Sequence, residues 1–458
     1  MNMEIAFPRF DDSLAIFVHT LIGVLGRDEV QDGWVLRDAT GRLTFISRSV
    51  ILPAKRKAAE KALSNRVRAY CHEGMVVLNI DQPGISSIKD RARGYKETLS
   101  TEDGDIVINI LEQRIVGQDW LTAPAPSLSV TPPRYVFASI KGGVGRSTAL
   151  AVVAADMAHQ GRKVLVVDMD LEAPGIGAML LNGEELPRFG LLDAYVEIGL
   201  GGIDREFMLD MVAASPFGKG RGLIDVVPAV GSLGQNYPAN VLAKIARAYL
   251  ENQSESGETL GFQGHTQRLV GELAGLKHYD AVLIDARAGL NESTAAAILG
   301  LGATVLLFGE DTPQTFAGYR YLLAHLARFP RIPEDDWLFR LRMIHAKASA
   351  DAGRQQAFRD SAHAIFQEFL YLDEPLVEDD AHKPKLDDMP LTMPEFSLDD
   401  PEAPHFAWPV LRDSNYYEFD PLGSASQLTS ALYERTYQAL LDGISLAREF
   451  DDLTESQP

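Results

Sequence analysis

The sequence predicts an α/β protein: a mostly parallel, twisted sheet with helices on both faces, and a smaller α+β domain in front of it. From residue 134 onward, short runs that are apolar at every position alternate with longer segments that can hold helices. Strands of that kind are buried on both faces, which is typical of a parallel sheet covered by helices. Residues 1–121 instead mix helical and strand-like patterns, and a proline-rich segment separates the two regions.

The N-terminal domain, residues 1–121, is predicted to contain helices and short strands in alternation. One helix lies near 12–25 and another runs through 54–70. Between them, WVLRDATGRLTFIS is typical of a β-hairpin with Thr40 and Gly41 at its turn. VVLNI and DIVINI are predicted as further strands.

A linker is predicted at residues 122–133, where TAPAPSLSVTPP places four prolines in twelve positions. Such a composition favours extended, solvated backbone. The second domain then spans 134–458, and its predicted strands are YVFASI, VLVVD, LIDVVPAV, AVLID, ATVLLF and RMIHA. Residues 373–404 contain eleven acidic residues and six prolines, which predicts a surface insertion, and a final helix is expected near 425–449.

Charge and cysteine content exclude several classes of protein. The 43 basic and 64 acidic residues give a net charge of −21, which disfavours general adhesion to nucleic acid or anionic lipid. Cys71 is the single cysteine, so an intrachain disulfide and a zinc cluster of several thiolates are excluded. We therefore expect a cytoplasmic protein. No membrane span is expected, because the apolar run at 295–309 is too short to cross a bilayer.

One segment carries the chemistry: a strand, a glycine-rich loop and a helix follow one another in YVFASI, KGGVGRST and ALAVVAADMAHQG. Glycines let the backbone turn tightly and aim its N–H groups inward, and the N-terminus of the helix adds a positive dipole. The loop is therefore predicted to bind phosphate groups. The predicted nucleotide-binding residues are Gly142, Gly143, Val144, Gly145, Arg146, Ser147 and Thr148.

This segment resembles the deviant Walker A motif of the ParA/MinD family of P-loop ATPases, Lys-Gly-Gly-x-Gly-Lys-Ser/Thr. The resemblance implies a P-loop NTPase fold and a dimer that forms with ATP. It makes Lys141 the signature lysine, which reaches the phosphates of the nucleotide held by the partner subunit. Ser147 falls where the family places its Mg²⁺-binding hydroxyl, and Thr148 where a second hydroxyl contacts phosphate.

Two later segments resemble further signatures of the same family. VLVVDMDLEAPG matches an Asp-x-Asp at a strand end, which implies that Asp170 orients the attacking water near Mg²⁺. YDAVLIDARAGLNE matches the Walker B and switch II segment, which makes Asp285 an outer-shell magnesium carboxylate. The resemblance thus implies ATP and Mg²⁺ as ligands, with Lys141, Arg146 and Asp170 as catalytic residues. Its metal residues are Ser147, Asp170 and Asp285.

Three other residues keep alternative interpretations. Asp168 either ends its strand and hydrogen-bonds a neighbouring loop or takes part directly in Mg²⁺ binding. Arg287 either supports the γ-phosphate or crosses the dimer interface, or it pairs with a carboxylate such as Glu292. Lys347, in HAKAS, lies where the family has its base-contacting loop but matches no specific pattern, so no role is assigned to it.

The loop departs from the family pattern at two positions. Arg146 stands where the family has its in-loop lysine, and Ile140 stands where the general P-loop pattern begins with glycine. A planar guanidinium does not replace a compact ammonium conservatively at a tight phosphate site. Phosphate binding is expected to survive, whereas the rate of hydrolysis is left open.

Three functions follow as hypotheses. The first is an ATPase that hydrolyses the phosphoric anhydride bond of Mg-ATP and acts as a dimerising switch. In this hypothesis the N-terminal domain contacts a protein partner in a bacterial regulatory or defence module. The second is an ATP-binding scaffold with negligible turnover, motivated by Arg146. The third is a DNA-associated partition ATPase, motivated by ten basic residues against four acidic ones between Lys55 and Lys96. Membrane docking is not expected, because the C-terminal segment is net acidic.

Overall fold

The computed structural model describes residues 8–72, 74–82, 85, 93–101, 104–127, 130–218, 220, 222–253, 259–371 and 395–455. The chain divides into two compact units, Met1–Thr122 and Ala123–Pro458. This division falls at the start of the segment that the sequence predicts as a linker. Most of the acidic insertion predicted at 373–404, namely residues 373–394, lies outside the described residues.

The first unit pairs a mixed sheet with helices. Its described helices are α1 (Phe10–Leu25), α2 (Arg27–Asp32) and α3 (Pro53–Arg66). Its described strands are β1 (Trp34–Arg37), β2 (Leu43–Ser47), β3 (Val77–Asn79), β4 (Arg93–Thr101) and β5 (Gly104–Glu112), in the order β3-β2-β1-β5-β4. The predicted hairpin is confirmed, because β1 and β2 pair antiparallel. The helix predicted through residue 70 ends earlier, and a 3₁₀ turn, Arg68–Tyr70, follows it.

Helix α1 packs on the sheet of this unit through one apolar face. Phe17 and Leu21 on α1, Phe45 on β2, Leu63 on α3 and Ile108 on β5 are fully buried in one cluster. On α3, Ala59 and Leu63 are buried, whereas Lys55, Lys57, Lys61 and Arg66 are exposed. The first unit therefore has a hydrophobic core of its own.

The second unit is built on an eight-stranded sheet. Its strands are β6 (Arg134–Ser139), β7 (Lys163–Asp168), β8 (Ala213–Ala214), β9 (Leu223–Val227), β12 (Ala281–Asp285), β13 (Thr304–Gly309), β14 (Leu341–Ala348) and β15 (Trp408–Leu411). Their order in the sheet is β15-β14-β13-β6-β12-β7-β9-β8. Neighbouring strands are parallel except β8, which runs antiparallel to β9. Two short strands, β10 (Asn252–Gln253) and β11 (Thr259–Leu260), form a separate pair. All six strands predicted for this region lie in the large sheet.

Helices connect these strands and cover the sheet. The described ones are α4 (Arg146–His159), α5 (Ile176–Leu180), α6 (Leu191–Ile198), α7 (Arg205–Leu209), α8 (Ser232–Asn236), α9 (Val241–Ala248), α10 (Phe262–Ala274), α11 (Glu292–Gly300), α12 (Pro313–Leu326), α13 (Ala352–Phe369) and α14 (Ser430–Glu455). Helix α14 is the predicted final helix. None of the described helices combines the length and the apolar character that crossing a lipid bilayer requires.

The central strands are buried on both faces. Tyr135 of β6 and Leu283 of β12 pack in one cluster with residues of α4 and α14. Their neighbours Val136 and Ile284 point to the opposite face and are equally buried. The predicted α/β class with a mostly parallel sheet is therefore confirmed. In such a sheet the carboxyl ends of β6, β12 and β7 meet at one edge, where ligands bind in this class of fold.

Candidate functional site

The loop between β6 and α4 turns where the sequence places its glycines. Gly143 (φ 75°) and Gly145 (φ 89°) occupy the left-handed region, which other residues adopt only with strain. A Cβ at either position would meet no atom within 4 Å. Both glycines are therefore required by backbone conformation rather than by lack of space. The loop ends at the N-terminus of α4, whose first turn has free backbone N–H groups that suit an anion.

Arg146 is the first residue of α4, and its guanidinium is buried among oxygen atoms from three strands. Its Nε donates to Asp285 Oδ1 at 2.7 Å, and its Nη1 donates to Ser139 Oγ at 3.3 Å. Its Nη2 lies 3.5 Å from Asp170 Oδ2. Only 9% of the residue is exposed. The predicted phosphate-facing arginine thus has carboxylates as its partners in this arrangement.

Ser147 and Asp285 lie side by side, as the motif predicts for two groups that serve one metal ion. The Ser147 hydroxyl donates to Asp285 Oδ2 at 2.6 Å, while Arg146 holds the other carboxylate oxygen. Asp285 ends β12 and is 1% exposed. Both of its oxygens are therefore hydrogen-bonded to consecutive residues of the loop and helix.

Asp168 and Asp285 are directly opposite each other in the register of β7 and β12. Asp168 is fully buried and accepts hydrogen bonds from the backbone N–H groups of Asp170 at 3.1 Å and Gly175 at 3.2 Å. Burial, together with the nearby Asp285 carboxylate, raises the pKa of Asp168 to about 8. This geometry agrees with the first interpretation of Asp168, a strand end that fixes the following loop.

Asp170 follows β7 by two residues and faces the same edge of the sheet. One of its oxygens accepts from the Ala173 N–H at 3.2 Å and the other lies near the Arg146 guanidinium. Burial raises its pKa, and the positive charge of Arg146 opposes that rise. The structure thus brings Asp170, Asp285, Arg146 and Ser147 together, as the sequence predicts.

The other predicted residues of the loop differ in exposure. Lys141 is exposed and makes no hydrogen bond or ion pair with any residue that the structure describes. Gly142 is exposed beside it, and Thr148 is half-buried in the first turn of α4. Val144 is 3% exposed and packs in the main hydrophobic cluster, so its side chain anchors the loop and only its backbone is available to a ligand.

Arg287 pairs with a carboxylate of the loop after β7. Its Nη1 lies 2.8 Å from Glu172 Oε1, and the same oxygen accepts from the Tyr249 hydroxyl at 2.7 Å. Burial and the adjacent Glu172 raise the pKa of Tyr249 above its ordinary value. Of the interpretations of Arg287, this contact agrees with pairing to a carboxylate, with Glu172 as the partner that the structure shows.

Sequence reasoning assigned no role to three residues at this site: Ser139, which contacts Arg146, Lys347, which contacts the loop, and Glu310, which contacts Lys347. Ser139 ends β6, and nothing in the sequence indicates that its hydroxyl accepts from Arg146. The Lys347 ammonium donates to the Gly143 carbonyl at 2.6 Å and to Glu310 Oε1 at 2.9 Å. The sequence signal for the last two is that both lie at the carboxyl ends of neighbouring parallel strands, Lys347 within β14 and Glu310 directly after β13.

The donor set at this edge fits Mg²⁺. A hydroxyl and two carboxylates, from Ser147, Asp285 and Asp170, are hard oxygen ligands. Among the described residues, no group of three or more His, Cys, Asp or Glu side chains is arranged as a metal site. Mg²⁺ is usually held by one or two carboxylates together with phosphate oxygens and water, and this set has that character.

The basic residues of the N-terminal unit gather on α3 and the turn after it. Lys55, Lys57, Lys61, Arg66 and Arg68 are exposed there, and Arg56 pairs with Glu60 at 3.1 Å. Lys89 and Arg91 lie outside the described residues. The first unit therefore has an exposed, basic helix face.

Comparison with known proteins gives one match to a family model. Residues 133–190 match the model described as ParA, NUBPL iron-transfer P-loop NTPase. They cover β6, the glycine-rich loop, α4 and the segment with Asp168 and Asp170. This match confirms the resemblance of these motifs to the ParA/MinD family. No curated protein matches the chain.

Several solved structures are similar over part of the chain. A ParA family ATPase from Chlorobium tepidum TLS is 18% identical over 52% of this chain and 80% of its own, with a TM-score of 0.35. The Pyrococcus furiosus cell division ATPase MinD is 15% identical over 69% and 100%, with a TM-score of 0.40. The pNOB8 ParA bound to nonspecific DNA is 16% identical over 52% and 75%, with a TM-score of 0.33. All three TM-scores lie below 0.5, so these likenesses carry no functional conclusion.

Proposed function

We propose that this protein, whose P-loop region is of the ParA/MinD type, binds and hydrolyses Mg-ATP and acts as a dimerising molecular switch. One observation carries the proposal. The Ser147 hydroxyl and the Asp285 carboxylate lie 2.6 Å apart beneath a glycine loop, at the carboxyl edge of a parallel sheet. A phosphate cradle and a pair of hard oxygen ligands in one place suit a metal-bound triphosphate.

The residues of the chain would divide the work as follows. Backbone N–H groups of the loop and the first turn of α4 would bind the phosphates, and Ser147 and Asp285 would hold the metal ion. Mg²⁺, when bound, would neutralise charge on the phosphate oxygens. Asp170 would orient a water molecule for in-line attack, since it lies at the same edge and is 8% exposed. Positioning and electrostatics then supply the catalysis.

Arg146 is the residue whose ionic partners would change when the proposed switch binds nucleotide. Its guanidinium is held by Asp285, Asp170 and Ser139. A triphosphate entering the loop would offer the same guanidinium new anionic partners, and Asp285 would become free to face the metal ion. Arginine suits this exchange because it keeps its charge and presents several donors in one plane.

The exposed position of Lys141 supports the dimeric part of the proposal. A lysine that has no partner among the described residues can reach a ligand held by a second subunit. Homodimerisation with ATP is therefore proposed, with the N-terminal unit contacting a protein partner in the cytoplasm. Association would then report whether nucleotide is bound.

A second candidate is an ATP-binding scaffold with negligible turnover. It is favoured by the contact of 3.5 Å between Arg146 and the Asp170 carboxylate. If that contact persists with nucleotide bound, the carboxylate proposed to orient water would be engaged by a guanidinium instead. Both candidates require ATP binding, and they differ in turnover.

Phosphate release separates the two candidates. We expect the full-length protein to release phosphate from Mg-ATP and Asp170→Ala to be slower by roughly 100-fold, the usual range for loss of a group that handles the attacking water. Asp360→Ala on α13 removes an exposed carboxylate and is the matched control. Equal background rates in wild type and Asp170→Ala, with ATP still bound, would support the scaffold.

Light scattering with ATP and with its non-hydrolysable analogue tests dimerisation. We expect Lys141→Ala to weaken the dimerisation that ATP causes.

A further inference from the structure

Lys347 stands out in the backbone of the second unit. It lies near the end of β14 with φ 51°, and the one other described non-glycine residue with positive φ is Arg68. The pairing of β14 with β15 shifts register between His345 and Ala348. Such a bulge turns a side chain away from the regular alternation of a strand. A strained residue in an irregular strand at a ligand-binding edge indicates a function.

The irregular backbone brings the Lys347 ammonium onto the phosphate-binding loop. Its Nζ donates to the Gly143 carbonyl oxygen at 2.6 Å and to Glu310 Oε1 at 2.9 Å. Glu310 directly follows β13, the strand between β14 and β6. The lysine therefore ties the tip of the loop to the adjacent strands through one carbonyl and one carboxylate.

A hydrogen bond to the Gly143 carbonyl also sets the direction of the next N–H group. In a trans peptide the C=O and the following N–H point in opposite directions. Holding the Gly143 oxygen toward Lys347 thus turns the Val144 N–H away from it. No residue that the structure describes accepts a hydrogen bond from that N–H. It is therefore free to donate to an anion in the loop.

We propose that Lys347, anchored by Glu310, is a positioning residue that orients the Gly143–Val144 peptide so that its N–H faces the bound phosphate. The inference rests on the proposed function and deepens it. Lys347 itself need not touch the nucleotide. Its contribution is to order the loop before binding, which lowers the entropic cost of association.

Mg-ATP titration of the full-length protein tests this role. We expect Lys347→Ala to weaken ATP binding about ten-fold, as loss of a charge-assisted hydrogen bond would. KM should rise while kcat stays within about two-fold, because no group at the reacting phosphate is removed. Lys347→Arg should recover part of the affinity. Lys163→Ala, an exposed lysine at the start of β7, is the matched control and should bind as wild type does.

Two further variants separate positioning from folding. Lys347→Gly relieves the strain at φ 51°, so it should melt at a higher temperature than Lys347→Ala while binding ATP equally weakly. Glu310→Ala should lower affinity, and adding it to Lys347→Ala should have little further effect, because the two side chains act through one contact.

The outcomes are distinguishable. If wild type binds ATP and Lys347→Ala binds it as tightly, the positioning role is overturned and the proposed function stands. If Lys347→Gly regains both melting temperature and affinity, the lysine serves folding only and the inference is again overturned. If wild type does not bind ATP at all, the proposed function fails and the inference fails with it.

Discussion

Arg146 shows how one side chain can determine the chemistry of a site. Its guanidinium contacts two buried carboxylates and a hydroxyl, and arginine is the residue whose fork of donors can satisfy three oxygens at once. A lysine in its place would keep the charge but lose the planar geometry. Arg146 stands where the family pattern has lysine. Its surroundings therefore fit a guanidinium.

Removing the Arg146 charge should strongly destabilise the protein. Arg146→Met leaves the Asp285 and Asp170 carboxylates buried without their cation, which costs about 3–5 kcal/mol of unfolding free energy. Arg146→Lys should cost about 1–2 kcal/mol. Urea denaturation in the absence of nucleotide measures both. Arg188→Met, an exposed arginine, should change stability by less than about 0.5 kcal/mol. An Arg146→Met protein as stable as wild type would show that the network contributes nothing.

His345 should make stability depend on pH. It stacks on Phe358 with ring centroids 4.1 Å apart, and burial lowers the pKa of His345 to about 4. As pH falls below its ordinary pKa of 6.5, the unfolded chain binds a proton that the folded chain does not. Stability is therefore complete above that pH and is lost progressively toward pH 4.

His345→Phe isolates this effect, because phenylalanine can keep the stacking and cannot be protonated. Between about pH 7.5 and about pH 5, wild type should lose about 2 kcal/mol more than the variant. Urea titrations at the two pH values give the difference, and contributions from other groups cancel in the comparison. An identical loss in both proteins would contradict the assignment.

At the level of single residues, the sequence predicted which residues gather at the site better than it predicted the contacts between them. The motifs predicted that Ser147 and Asp285 share one edge of the sheet, because parallel strands bring their carboxyl ends together, and the two side chains do lie 2.6 Å apart. The partners of Arg146 could not be predicted, since they depend on the distances between three strand ends. The Lys347 contact depends on a bulge that leaves no mark in the hydrophobic pattern.

Helix α12 supports the base of the loop through a glycine. A Cβ at Gly318 would lie 2.3 Å from Ile140 Cγ2, so the helix approaches the loop as closely as glycine allows. This contact also accounts for isoleucine at a position where the general pattern has glycine. Ile140 fills the space between β6 and α12 with a side chain.

Gly318→Ala should therefore be destabilising, although it lies within a helix where alanine is normally preferred. Helix propensity alone would stabilise by about 1 kcal/mol, and overpacking should outweigh it with a net loss of about 1–3 kcal/mol. Gly271→Ala in α10 is the control, because its Cβ would meet only an ordinary contact at 3.7 Å. Adding Ile140→Ala to Gly318→Ala should recover stability. A stabilised Gly318→Ala protein would contradict the proposed contact.

Three of the strands that sequence analysis missed lie at sheet edges. Strand β4 ends the sheet of the first unit, and β8 and β15 end the large sheet. Edge strands need less apolar surface, and they tolerate proline and charge. Strand β4 was therefore not predicted because its sequence, RGYKETLST, is polar. Strand β15 was not predicted because it contains Pro409. The inner strands were predicted because burial on both faces requires continuous apolar runs.

At the scale of the whole molecule, the two compact units carry different features. All the residues of the proposed ATP site lie in the second unit, Ala123–Pro458, whereas the exposed basic face of α3 belongs to the first. The order of the large sheet could not be predicted from the chain, because consecutive strands such as β6 and β7 are separated by β12. That crossover places Asp285 between Ser139 and Asp168 and so creates the site.

Calorimetric titration of Mg-ATP into the full-length protein tests whether the loop from Ile140 to Thr148 binds a triphosphate. We predict saturable heat with a stoichiometry of one nucleotide per chain. Mg²⁺ should increase the affinity for ATP less in Ser147→Ala than in wild type, because the hydroxyl beside Asp285 is lost. With the metal chelated, the two proteins should bind alike. The absence of binding heat at nucleotide concentrations up to about 1 mM would contradict the account. A dissociation constant of about 1 mM corresponds to a binding free energy of about −4 kcal/mol.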